Sequence, residues 1–329
     1  MRRPTAPLRV LLLCALLLCT PPLLAACAGA GGGSSAAGNA PADDSDPGAP
    51  FATRAQQVAA AWRRAPGGDA WRAGFVPLQG LTVVPAGAKL DGAARQALAN
   101  GWFRLAVGMP REVGGRRGAV RFADGGSLPV PLVGLAEAYD ELHQGDPPPC
   151  RVGATPGVRA SGPDAPVSDG SVQACAALTV TAARVGTVPL LTSRGRAEVP
   201  AWLFTVAGLA APIARVAVAP GAVGAAPRVT LPGELPQIPG LVGALGLTAV
   251  DGTRVAYQLG IGSCDKDPAP VWFEADDVVV LAGVVARRRA GACPDNLLIE
   301  PVDVTLDDTP GRRPVLDGLT GQVLMLSSS

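Results

Sequence analysis

Several residue types and motifs that carry chemistry are scarce in this sequence of 329 residues. It has one histidine, His143, and neither a GxSxG nor a GxxxxGK[ST] motif, so it offers no nucleophile elbow and no phosphate-binding P-loop. Charged residues make up only 17%, and 28 basic residues face 27 acidic ones. The sequence offers no basic surface that could neutralise phosphates, so nucleic acid is not an expected partner. No cofactor is predicted.

Long apolar runs are also lacking, and the one near the N-terminus is short. Three arginines lie among the first nine residues, and residues 10–18 form an apolar run that is shorter than the roughly 18–20 residues needed to span a bilayer. Small residues and Cys27 follow. This order is typical of an export signal, so residues 1–26 are predicted to be a signal peptide.

The segment Leu24-Ala25-Ala26-Cys27 resembles the lipobox of bacterial lipoproteins, in which the cysteine is acylated and the signal is removed before it. The resemblance implies lipidation of Cys27 and a place on the outer face of the cell membrane, with the lipid bilayer as a partner through the acyl chains. The alternative is an ordinary signal peptide cut after Ala26, with Cys27 incidental. Residues 27–50, rich in Gly, Ser, Ala, Pro and Asp, are predicted to form a flexible tether.

Four cysteines remain after Cys27, an even number that fits disulfide formation outside the cytoplasm. Three pairings are possible, and we favour Cys150 with Cys175 and Cys264 with Cys293, because each pair brackets one Pro- or Asp-rich stretch. A zinc site is not expected, since the chain has no CxxC motif and a single histidine.

The exported part is predicted to have an α+β fold, mainly antiparallel β, with an α+β module and a disulfide-stapled, β-sandwich-like module. Apolar residues make up 48% of the chain, enough for a core despite 42 glycines and 33 prolines. Apolar spacing predicts a helix at 51–65, and Asp124-Gly125 and Ser193-Arg194-Gly195 predict hairpin turns. The predicted parts are the signal peptide (1–26), the tether (27–50), an α+β N-terminal part (51–145), an irregular Pro/Gly-rich segment (146–174), a β-hairpin region (175–226), a Pro-rich linker (227–240) and a C-terminal β module (241–329).

Four stretches of the chain resemble uncharacterised secreted lipoproteins of high-GC actinobacteria. They are VRFADGGSLPVPLVGLAEAYDEL at 120–142, TSRGRAEVPAWLFTVAG at 192–208, RVAVAP at 215–220 and RRPVLDGLTGQ at 312–322. The resemblance implies a location in the cell envelope and carries over no catalytic residue.

A strong export signal combined with weak chemical motifs favours a non-enzymatic binding or envelope-interaction module, with an envelope protein or a glycan as partner. No catalytic, cofactor-binding or metal-binding residue is assigned. The alternative is an envelope hydrolase that uses paired carboxylates, with calcium held between the 265–267 and 276–277 acids as one version of it. Its candidate residues are Asp265, Asp267, Glu274, Asp276, Asp277, Asp303, Asp307 and Asp308.

Overall fold

The computed structural model describes residues 48–106, 108, 116–147, 149–151, 172–174, 176–233, 235–287 and 293–327. The signal peptide at 1–26, the lipidation of Cys27 and nearly all of the tether fall outside these ranges. The predicted bond between Cys150 and Cys175 also lies outside them, because Cys175 is not among the described residues.

The described residues form four α-helices and fifteen strands, mostly antiparallel, which confirms the predicted α+β class. The helices are α1 (Gly48–Arg64), α2 (Gly68–Ala73), α3 (Gly92–Ala99) and α4 (Leu135–Leu142). The strands are β1 (Thr82–Val83), β2 (Phe103–Leu105), β3 (Arg117–Phe122), β4 (Ser127–Pro131), β5 (Pro149–Arg151), β6 (Val172–Ala174), β7 (Leu178–Thr192), β8 (Gly195–Val206), β9 (Ile213–Val216), β10 (Leu241–Asp251), β11 (Arg254–Gly262), β12 (Asp265–Ala275), β13 (Val278–Arg287), β14 (Leu297–Thr305) and β15 (Val315–Asp317).

The first sheet is built around the β7–β8 hairpin. β8 pairs with β7 along its length, with β3 near its start and with β9 near its end. The hairpin turns where Thr192 pairs with Gly195, whose φ of 84° suits glycine. Helices α3 and α4 cover one face of this sheet, where Phe103, Tyr139 and Phe204 belong to one apolar cluster.

The second sheet folds over on itself because β10 changes partner along its length. Residues 241–243 pair with β13, whereas the pairs from Ala244 onward are with β11. The β11 and β13 layers therefore share one apolar cluster, and the Tyr257 hydroxyl donates a hydrogen bond of 2.7 Å to the carbonyl of Ala282 across it. This is the sandwich-like arrangement that the sequence predicted for the C-terminal module.

Strand β13 is apolar along nearly its whole length because both of its faces are covered. Val279 and Leu281 face the β11 layer, while Val278 and Val280 pack against Phe51 and other residues of α1. Residues 278–282 are completely buried. A strand buried on both faces needs a continuous apolar run rather than an alternating one. Helix α1, at the start of the chain's described part, thus packs on the C-terminal sheet.

The two sheets are joined by residues 323–327, which we call the C-terminal strap. The Leu326 amide donates to the carbonyl of Leu78 at 2.7 Å, on the side of the first sheet. On the other side the Leu247 amide donates to Met325 and the Ser327 amide donates to Leu247, both at 2.8 Å. The strap therefore extends the backbone hydrogen bonding from one half of the molecule to the other.

Asp317 holds the turn that leads into the strap. Its side chain is buried and accepts hydrogen bonds from the Ala244 amide (2.9 Å), the Thr320 amide (2.9 Å) and the Thr320 hydroxyl (2.7 Å). A buried carboxylate is tolerated when donors of this kind satisfy it. Asp317 thus fixes β10, β15 and the turn before the strap relative to one another.

We expect Asp317→Ala to lower the free energy of unfolding by about 2–3 kcal/mol, because it leaves the buried Ala244 amide without its acceptor. Asp307→Ala, which changes an exposed aspartate on the same segment, should change it by less than about 0.5 kcal/mol. Urea unfolding followed by circular dichroism measures both values. Equal effects of the two substitutions would contradict the role given to Asp317.

Candidate functional site

A polar cleft of about 1090 Å³ lies where both halves of the chain meet. Its walls come from the end of α1, from α2, from the turn between β12 and β13, and from the loop at 308–314. Residues of opposite charge and two tryptophans line it. They include Trp62, Arg63, Trp71, Arg72, Asp276, Asp277, Asp308 and Arg312.

The cleft gathers some of the carboxylates singled out in the sequence but not all of them. Asp276, Asp277 and Asp308 line it. Asp265 and Asp267 lie at the opposite end of β12, an 11-residue strand that spans about 35 Å. The two acid groups proposed to share a calcium ion are therefore not brought together. Across the described ranges, no three His, Cys, Asp or Glu residues are grouped so as to hold a metal ion.

Asp277 forms an ion pair with Arg63 from α1. The guanidinium donates two hydrogen bonds, of 2.6 and 2.8 Å, to the two carboxylate oxygens, and both side chains are 50% exposed. These hydrogen bonds lower the pKa of Asp277 and raise the pKa of Arg63. Asp277 is thus held ionised, which suits binding or bracing rather than proton donation.

Glu274 is buried just behind the cleft and pairs with Arg313. The carboxylate accepts hydrogen bonds from the Arg313 guanidinium at 3.1 Å and from the Asp307 amide at 2.9 Å. Arg313 also donates to the carbonyls of Ala275, Asp308 and Thr309. This pair shapes the loop that forms one wall of the cleft. Asp303, another candidate carboxylate, pairs with Arg254 at 3.1 Å on the surface, and this pair lowers its pKa.

Two cleft carboxylates and one indole have no such partner. The side chains of Asp276 and Asp308 accept no hydrogen bond from any residue in the described part of the chain. Trp71 is 5% exposed and packs edge-to-face on Trp62, with ring centroids 5.0 Å apart. Its Nε1 atom is buried, and no residue of the described ranges accepts a hydrogen bond from it. The cleft therefore offers carboxylate acceptors from Asp276 and Asp308 and exposed guanidinium donors from Arg72 and Arg312 to a polar ligand, whereas the indole N–H of Trp71 is buried out of reach.

The predicted bond between Cys264 and Cys293 is present, with a Cα–Cα distance of 6.0 Å. It joins the short turn between β11 and β12 to the segment before β14. The hydroxyl of Ser263 supports the same junction by donating to the carbonyl of Pro294 at 3.1 Å. The disulfide therefore fastens the segment before β14 to the turn after β11, the strand with which β14 pairs.

Comparisons with protein-family models, with curated proteins and with solved structures found no match. Among the helices of the described ranges, none combines the length and apolar character needed to cross a membrane.

We expect Arg63→Gln to raise the pKa of Asp277 back toward the ordinary carboxyl value of about 3.9, because the guanidinium hydrogen bonds are removed. Since the folded-state pKa is lowered, the pair stabilises the protein above that ordinary value, and this stabilisation is lost as the pH falls through the lowered pKa. Carboxyl ¹³C NMR titration measures the pKa. Arg64→Gln is the control on the same helix, and a titration of Asp277 that is equal in both variants would contradict the pair.

Replacing Cys264 and Cys293 together by alanine should lower the free energy of unfolding by about 3–4 kcal/mol, as expected for a closed loop of about 30 residues. Denaturant unfolding of the variant and of the native chain, both without reductant, measures the difference. An unchanged unfolding midpoint would show that the bond adds nothing to the sheet junction.

Proposed function

We propose that the protein is a lipid-anchored, non-enzymatic binding module on the outer face of the cell membrane of a high-GC actinobacterium. The observation that carries the proposal is the position of Cys27, which comes directly after an apolar export segment and two alanines. The thiol would be acylated after export, and two or three acyl chains would hold the protein to the bilayer persistently.

The spacing between the anchor and the folded part supports this arrangement. Twenty residues separate Cys27 from Gly48, where α1 begins. A flexible chain of that length has a root-mean-square reach of about 25 Å. The folded part would stand clear of the lipid headgroups and still remain close to the membrane.

The cleft supports binding as the function of the folded part. Arginines hold Glu274 and Asp277 in ion pairs, so these two acids are engaged as structural groups. Asp276 and Asp308 leave carboxylate acceptors, and the exposed guanidinium groups of Arg72 and Arg312 leave donors, for hydroxyl-rich or peptide partners. A glycan or a polar segment of an envelope protein is therefore the class of partner that the cleft would take.

The anchor is tested by expressing the native chain and the Cys27→Ala variant in an actinobacterial host. We expect the native chain in the membrane fraction, with an intact mass that corresponds to cleavage before Cys27 and added acyl chains. The variant should be released or keep its signal peptide, because its lipid attachment site is gone. Cys264→Ala serves as the control for loss of a cysteine and should still partition with membranes. Equal partitioning of the native chain and Cys27→Ala, with no acyl mass on either, would overturn the proposal.

A further inference from the structure

Arg54, in the middle of α1, is a largely buried cation without a carboxylate partner among the described residues. The residue as a whole is only 8% exposed to solvent. One guanidinium nitrogen, Nη2, donates to the carbonyl of Pro236 at 2.5 Å. No carboxylate of the described residues lies within 4.0 Å of it. By contrast, the least exposed arginine pairs elsewhere, Arg313 with Glu274 and Arg215 with Glu141, have contacts of 3.1 and 2.7 Å.

The hydrogen bonds within the described residues engage only part of the Arg54 guanidinium. Arginine stays charged at all ordinary pH values, and it carries five N–H donors, of which one Pro236 carbonyl engages a single group. Its other guanidinium nitrogens are not among the buried side-chain atoms of the described residues that lack a hydrogen-bond partner, so they keep access to the groove that Arg54 lines. The position therefore points to an anion that is supplied from outside the described chain.

The surroundings of Arg54 indicate what kind of molecule brings that anion. Arg54 lines a groove of about 510 Å³, within the range of about 300–1000 Å³ that is usual for small-molecule sites. Apart from Arg54 and Gln237, the groove is lined by apolar side chains. They are Leu235, Pro236, Ile238, Pro239, Leu241 and Leu319.

We propose that this groove binds a single-chain anionic amphiphile, whose carboxylate or phosphate pairs with Arg54 and whose hydrocarbon chain lies against Leu235, Ile238 and Leu319. A charge-assisted hydrogen bond to guanidinium gives the headgroup its site, and burial of the chain against the apolar wall adds affinity in proportion to area. The groove is separate from the polar cleft. The proposal holds whether or not Cys27 is acylated.

Three probes separate the headgroup from the chain in isothermal titration calorimetry on the full chain carrying Cys27→Ala. Laurate has both parts, dodecyl maltoside has the same chain without a charge, and acetate has the charge without the chain. We expect laurate, kept below its critical micelle concentration, to bind at one site, and the other two probes to bind at least about tenfold more weakly. Equal binding of laurate and dodecyl maltoside would overturn the role of the anion. Dodecyl phosphate tests whether a phosphate replaces the carboxylate.

Substitution at Arg54 distinguishes a ligand site from a structural contact. We expect Arg54→Met to weaken laurate binding roughly ten- to hundredfold while leaving the melting temperature of the free protein nearly unchanged, because methionine keeps the apolar stem and the carbonyl that loses its donor belongs to the exposed Pro236. Arg64→Met, an exposed change on the same helix, should alter neither. If Arg54→Met lowers the melting temperature and laurate affinity is unchanged, Arg54 only supports the Pro236 carbonyl and the proposal is wrong.

Two further variants keep the test decisive if Arg54→Met does not fold. Leu235→Ser changes the partly exposed apolar wall and should weaken laurate without changing the binding of acetate. Glu234, next to the groove in sequence but outside the described residues, could itself supply the counter-charge. Because the proposal assigns the anion to the ligand instead, Glu234→Gln should leave laurate affinity and stability unchanged. A loss of stability with tighter laurate binding would show that the counter-charge is internal and would overturn the proposal.

Discussion

The rest of the structure depends on the backbone hydrogen bonds that the C-terminal strap makes to both sheets. Its amides and carbonyls pair with Leu78 on one side and Leu247 on the other, so residues distant in sequence become one hydrogen-bonded region. Asp317 sets the direction of the strap by capping the Ala244 amide and the Thr320 turn. The polar cleft also has walls from both ends of the chain, where the end of α1, which packs on β13, meets the β12–β13 turn.

Each buried charged residue of the described part has an oppositely charged partner or several hydrogen-bond donors, with one exception. Glu274 has Arg313, and Asp317 has three donors from Ala244 and Thr320. Arg54 has a single carbonyl. In a chain with so few charged residues, a buried charge is seldom incidental, since its desolvation must be compensated. The exception therefore carries more information about ligands than the paired acids of the cleft do.

Features set by neighbouring residues could be predicted from the sequence. The turn at Asp124-Gly125 and the hairpin at Gly195 follow from residues that tolerate positive φ. Helix α1 follows from its apolar spacing, and the Cys264–Cys293 bond joins residues only 29 positions apart. Each of these depends on local geometry or on a short loop, which a single sequence reveals.

Features set by distant residues could not be predicted in the same way. Arg63 and Asp277 are 214 positions apart, and Arg54 and Pro236 are 182 apart. The sequence showed the acids near position 276 but not the arginines that pair with Glu274 and Asp277. It also did not show that the length of β12 separates the acids at 276–277 from Asp265. The packing of α1 on β13 likewise depends on a fold in which the first helix and the last sheet meet. Apolar residues along one face of a helix indicate that this face is buried, but they do not indicate which strand covers it.

Native-state hydrogen exchange of the Leu326 and Leu247 amides tests most directly whether the strap joins the two sheets into one cooperative structure. The account predicts that both amides exchange only through global unfolding, with the same protection as the central residues of β8 and β13. Exchange of these two amides at a much lower free energy, with the two sheets retaining separate protection, would contradict it.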